Sequence, residues 1–139
     1  MIAKAVLYVT RGRELLVFTQ RDHPSAGVQV PKGTVDPGET PDQTALREGF
    51  EETGLAFDRP GRFLGVAEVL VPGARFTELR HHYWFEAPPG TPDVWDHVVS
   101  GGPEETGLVF RHRFVPLEEV ALDWELGRFL PALEPLVEA

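Results

Sequence analysis

Residues 40–55 read "TPDQTALREGFEETGL". Thr40 is a good helix N-cap, Pro41 suits the first helical position, and Gln43 three places after Thr40 completes a capping box. Gly54 marks the far end, where a left-handed residue is needed. Between these signals, at about 100° per residue, Leu46, Gly49, Phe50 and Thr53 share one face, which is the expected core contact. Glu48, Glu51 and Glu52 are expected on the opposite, outward side.

Those three glutamates sit where a helix tolerates them least. The C-terminal turns carry partial negative charge, and like charges at i,i+3 or i,i+4 repel by roughly 0.2–0.5 kcal/mol per pair. Arg47 is the only cation in the helix. An acidic run usually reads as a solvated face. A bound Mg²⁺ or Mn²⁺, which favours hard oxygen ligands, removes both penalties and draws phosphate oxygens to its remaining positions.

Upstream, "GVQVPKGTV" is short and extended, since Pro31 keeps it out of a helix. "DPGE" matches a turn, with Pro37 and Gly38 in its central places. Gly33 and Gly38 allow backbone to approach a ligand closely, and Lys32 is placed to meet a phosphate as a point charge. Glu39, just before the cap, either joins the metal cluster or pairs with Arg47.

The sequence from Gly33 through Glu39 to "REGFEETGL" at 47–55 resembles the Nudix box, with every charged and glycine position filled. One position departs, because Gly49 stands where the family usually has an aliphatic residue. Glycine weakens a helix by about 1 kcal/mol, so close packing of this helix on a sheet is in question.

The resemblance implies an α/β fold of the α+β kind: a Nudix-type α/β/α sandwich with a mixed sheet, formed as one domain over 1–139. It also implies metal-dependent hydrolysis of a nucleoside diphosphate linked to another group. Glu48, Glu51 and Glu52 would hold Mg²⁺ or Mn²⁺, Glu39 would be an outer member, and Arg47 would orient the carboxylates. "VPKG" before the box is similar to the branch acting on dinucleoside polyphosphates. A module that binds nucleotide or metal without cleaving it is the alternative.

The rest of the chain bounds the choice. Its 139 residues carry a net charge of −9, which argues against sequence-independent nucleic-acid binding but not against a small phosphorylated nucleotide. There is no cysteine, hence no disulfide or thiolate chemistry. No apolar run reaches the roughly 18 residues of a membrane span, and "MIAKAVLYVT" is a poor signal peptide, so a cytoplasmic protein is expected.

"AKAVLYV", "ELLVFTQ", "GRFLGVAEVLV", "FTELRHHYWFEA", "VWDHVVSG" and "GLVFRHRFVPL" read as strands. From Leu117 the apolar residues Val120, Trp124, Leu126, Leu130 and Leu133 fall at helical spacing, with Pro131 ending or kinking a terminal helix. "EETGL" recurs at 104–108 with no helical run before it and reads as coincidence. His81, His82, His97 and His112 match no compact zinc spacing. "SGGPEETG" at 100–107 is a glycine-rich loop between strands, and its Glu105, ahead of Glu104, is expected to be a further metal ligand or the base that accepts a proton from water.

Overall fold

A computed structural model describes residues 1–137. The strands are β1 (Ile2–Arg11), β2 (Glu14–Gln20), β3 (Lys32–Thr34), β4 (Arg62–Leu70), β5 (Thr77–Glu86), β6 (Val94–Val98) and β7 (Val109–Pro116), and the helix is α1 (Pro41–Thr53). They form a seven-stranded mixed sheet in the order β4-β5-β1-β2-β7-β6, with β3 pairing β1. Among the described residues only β1 and β5 run parallel, from Ile2 opposite Glu78 to Thr10 opposite Glu86. The β1–β2 turn uses Gly12 at φ 57°, a left-handed conformation that glycine adopts without penalty.

β1 is buried on both faces, which explains its unbroken apolar run. Ala5, Leu7 and Val9 face α1 together with Leu16, Tyr83 and Phe85. Val6 and Tyr8 face the other way, against Leu126 and Leu133 of the C-terminal segment. Each wholly buried leucine contributes about 1.5–3 kcal/mol relative to exposure.

The cap signals around α1 are all realised. Thr40 and Gln43 form the reciprocal capping box, and Gly54 closes the helix in the left-handed region. The rotational phase differs from expectation. Thr44, Ala45, Glu48, Gly49, Glu52 and Thr53 form the buried face, while Phe50 is 53% exposed. Small residues bring the helix axis close to the sheet: a methyl group on Gly49 would lie 2.9 Å from Leu7 and 3.0 Å from Phe57. Gly49 therefore permits the close packing it put in question.

Among the described residues the terminal helix does not form. Beyond β7 the chain has short 3-10 turns at Leu117–Glu119 and Leu130–Leu133 joined by irregular backbone. Trp124 and Glu125 adopt φ of 62° and 58°, which no right-handed helix accommodates. Side-chain anchors hold this segment as a strap: the Trp124 indole donates to the Ala26 carbonyl at 2.7 Å, and Asp123 accepts from the Val28 amide at 2.8 Å. The sheet is covered on both faces, but the second cover is this strap and contains no α-helix. The second "EETGL" lies in a turn and not at the end of a helix.

Candidate metal and phosphate site

α1 and the β6–β7 loop converge on one cluster. Oxygens of Glu48, Glu52 and Glu105 lie within 4.8 Å of one another. Glu52 is wholly buried; one carboxylate oxygen accepts from the Lys32 amide at 3.2 Å, and the other, Oε2, has no partner. Gly33 lies directly against Glu48: a methyl group there would overlap the Glu48 carboxylate. The second glycine of the box, Gly38, sits in its turn at φ 80° with open space around it.

Burial raises all three carboxyls. Glu48 is pushed up to about 7 by desolvation and then by the charge of Glu51, against the pull of Arg47. Desolvation, followed by Glu105 and Glu48, holds Glu52 well above the usual carboxylate range. Glu105 is also raised by burial, while Lys4 and Lys32 pull the other way. Neighbouring Glu104 is exposed and stands apart from the cluster.

Glu51 and Glu39, also expected among the metal ligands, contact Arg47. The guanidinium contacts Glu39 at 2.8 and 2.9 Å, Glu48 at 2.9 Å, Glu51 at 3.1 Å and the Thr34 carbonyl at 3.1 Å. The Arg47 hydrogen bonds hold Glu39 down to about 2, aided by the Thr44 hydroxyl. Arg47 thus ties the β3–α1 loop to the helix and fixes the Glu48 side chain. Of the two expectations for Glu39, metal ligation or pairing with Arg47, the side chain makes the second contact.

Three side chains of β6 and β7 grip the end of α1. Trp95 Nε1 donates to the Thr53 carbonyl at 2.9 Å, His112 Nε2 lies 2.9 Å from the Glu52 carbonyl, and His97 Nε2 lies 3.0 Å from the Glu51 carbonyl. Helix ends leave such carbonyls unpaired, so these contacts satisfy them and fix the turn that carries Glu52. Burial lowers His112 to about 4, which keeps its ring neutral. The sequence raised both histidines only as zinc candidates and not as helix anchors, because imidazoles that meet a distant helix end have no local spacing signal.

A second group also escaped sequence reading. On the face of the sheet away from α1, Lys32 Nζ lies 3.1 Å from Glu78, where Arg80 joins at 2.9 Å and Lys4 at 3.8 Å. The signal was present: Glu78 and Arg80 are charges at i and i+2 of a strand, on a face that is buried. By contrast, a cavity of about 470 Å³ lined by Phe57, Arg59, Arg62, Trp84 and Pro88 lies by the far end of β5 and touches none of these glutamates.

The donor set fits a hard divalent cation. It offers three carboxylates and no sulfur or imidazole, and one buried oxygen is left without a partner. No helix among the described residues is long and apolar enough to cross a membrane.

The chain is similar to known proteins in sequence and in fold. The NUDIX domain matches residues 1–133. The chain is 49% identical over 103 residues to an RNA pyrophosphohydrolase of Cereibacter sphaeroides, covering 72% of this chain and 63% of that protein. The match therefore spans slightly less than two thirds of the curated relative's length. A MutT NUDIX hydrolase from Burkholderia pseudomallei superposes with a TM-score of 0.70 at 18% identity, covering 94% of this chain and 95% of that one. The NUDIX domain of Shewanella oneidensis NrtR complexed with ADP ribose gives 0.68 at 18% identity, covering 99% and 89%.

Proposed function

The chain belongs to the NUDIX domain family, and from that premise we propose that it hydrolyses the phosphoric anhydride bond of a nucleoside di- or polyphosphate, using Glu48, Glu52 and Glu105 to hold Mg²⁺ or Mn²⁺. The observation that carries the reading is the three-carboxylate cluster with its unpartnered, buried Glu52 oxygen. Leaving a buried charge without a partner is costly, and a divalent cation supplies the partner.

When bound, such an ion neutralises phosphate charge and makes water a better nucleophile. The chain's own residues do the rest. Arg47 locks the β3–α1 loop and the Glu48 side chain in place. Gly33 leaves room for the Glu48 carboxylate. Lys32 presents its amide to Glu52, while its Nζ is held by Glu78. Glu105, on a loop, is either the third ligand or the group that accepts the proton as the water oxygen bonds to phosphorus and the bridging P–O bond breaks. Glu51, held by Arg47, keeps that guanidinium turned toward the helix.

The substrate class follows from charge and kinship together. A chain of net −9 suits a nucleotide-sized substrate better than a long duplex. The Cereibacter relative adds the triphosphorylated 5′ end of RNA as a member to test. Purified protein with Mg²⁺ is expected to hydrolyse at least one of a panel: nucleoside di- and triphosphates and 5′-triphosphate RNA, with release of phosphate or pyrophosphate, and dinucleoside polyphosphates, with release of two nucleotides. Binding of nucleotide without turnover of any of them would instead mark a non-catalytic binding module.

A further inference from the structure

The chain carries one short motif twice. Residues 49–55 read "GFEETGL" and residues 102–108 read "GPEETGL". The first ends α1 and the second forms a turn in the β6–β7 loop, yet both close in the same way. The Thr53 hydroxyl donates to the Gly49 carbonyl, four residues back, at 2.6 Å. The Thr106 hydroxyl donates to the Gly102 carbonyl, also four residues back, at 2.6 Å, with the Gly101 carbonyl within reach of the same hydrogen. The Thr106 amide meets the Gly102 carbonyl as well, at 3.1 Å. A left-handed glycine follows each threonine, Gly54 at φ 78° and Gly107 at φ 93°. Leu55 and Leu108 then pack against separate apolar clusters. In both copies the second glutamate, Glu52 or Glu105, enters the three-carboxylate cluster.

The two glutamates differ in what holds them. Glu52 belongs to a helix whose last carbonyls are met by Trp95 and His112. Glu105 belongs to a loop with three glycines, Gly101, Gly102 and Gly107, whose backbone is free to turn. The near end of that loop rests on α1. The Ser100 amide donates to the Glu51 carbonyl at 3.2 Å, and a methyl group on Gly101 would overlap the Glu51 carboxylate. Beyond this seat, Thr106 makes the only side-chain-to-backbone hydrogen bonds within residues 100–107, among the described residues. Its side chain is exposed and lies outside the cluster itself. A threonine hydroxyl that bonds back to a nearby carbonyl holds a local turn closed, and here that turn carries Glu105.

Resting on the reading of Glu105 as the third metal ligand, we propose that Thr106 is a positioning residue for Glu105: its hydroxyl, bonded to the Gly102 carbonyl, closes the turn that aims the carboxylate at Glu48 and Glu52. The repeated motif is then one local device used at two places, each time delivering its second glutamate to the cluster. A positioning role and a structural role make different forecasts. A residue that only supports the fold affects metal binding whether or not Glu105 is a ligand. A residue that acts through Glu105 has no further effect once that ligand charge is removed.

The test is calorimetric titration of Mn²⁺ into the full, metal-free chain as wild type, Thr106→Val, Glu105→Gln and the double variant. Valine keeps the shape of threonine and removes the hydroxyl. Thr106→Val is expected to weaken Mn²⁺ at least about 5-fold, as loss of a contact supporting a metal ligand does. In the Glu105→Gln background the same change should cost less than about 2-fold. Thr106→Ser restores the hydroxyl and should bind within about 2-fold of wild type. Wild-type affinity in Thr106→Val, equal weakening in the two backgrounds, or a Thr106→Ser as weak as Thr106→Val would each overturn the proposal. Thr106 is exposed, so its variants leave the core intact, which an unchanged circular dichroism spectrum checks. Glu105→Gln separates the two readings. It is expected to weaken Mn²⁺ by itself; if it does not, the ligand reading of Glu105 fails and the proposal with it. A weakened Glu105→Gln beside an unaltered Thr106→Val ends the proposal alone.

Discussion

At the scale of single residues, the site depends on two carboxylates being buried. Glu52 →Gln keeps shape and removes one ligand charge, and the same holds for Glu48→Gln. Each is expected to lower kcat at least about 100-fold with an unchanged circular dichroism spectrum; full activity in Glu52→Gln would remove the metal cluster from the mechanism. Gly33→Ala tests the space the cluster needs. Its added methyl overlaps the Glu48 carboxylate, so kcat should fall at least about 10-fold, and Gly38→Ala, with open space around it, should cost stability through its positive φ but leave the glutamates in place. Glu48, Glu52, Arg47 and Gly33 could be picked out in the sequence through the acidic helix end and the box it resembles. Which way the glutamates point could not. Phase was read from Leu46 and Phe50, yet small residues, Thr44, Ala45 and Gly49, make the contact with the sheet, and they carry little hydrophobic signal. Burial of Glu48 and Glu52 comes from the β3 strand beside them, through the Lys32 amide and the missing side chain of Gly33.

At the scale of elements, α1 was readable because its ends are written locally, in Thr40, Gln43 and Gly54. Its anchoring was not, because the donors that meet its last carbonyls come from β6 and β7, some 40–60 residues later in the chain. His112→Phe tests that anchoring. It fills the same space but leaves the Glu52 carbonyl without its ring donor, a loss of about 1–3 kcal/mol for a buried group. A lower melting temperature accompanied by weaker metal-induced stabilisation is expected, since the turn that carries Glu52 loosens; an unchanged response to Mg²⁺ would show that His112 supports the fold alone. The C-terminal strap was misread for a related reason. Leu126 and Leu133 do reach the core, and helical spacing records only that apolar residues recur on one side. A strap pinned by Trp124 and Asp123 satisfies the same pattern with backbone no helix adopts.

At the scale of the whole molecule, the buried carboxylates link stability to pH and to metal. Glu48 has an unfolded value near 4.5 and a folded value of about 7, and Glu52 is raised in the same direction. A raised carboxyl favours the protonated form in the folded state. Its contribution is therefore fully present below pH 4.5 and is lost as pH rises through 7. His82 and His112 work against this, since burial lowers them to about 3 and about 4 and their neutral rings favour the fold as pH rises toward 6.5. The histidines are the same in wild type and in the Glu48→Gln/Glu52→Gln variant, so the difference between the two isolates the carboxylates. In metal-free buffer the variant should gain on wild type between pH 5 and pH 8, by at least about 4 °C in melting temperature. Millimolar Mg²⁺ should raise wild type more at pH 8 than at pH 5, because binding requires deprotonated ligands, and it should leave the variant unmoved. A difference between the chains that stays constant with pH would remove the buried charge from the account. A variant that kept the Mg²⁺ shift would move the ion away from Glu48 and Glu52.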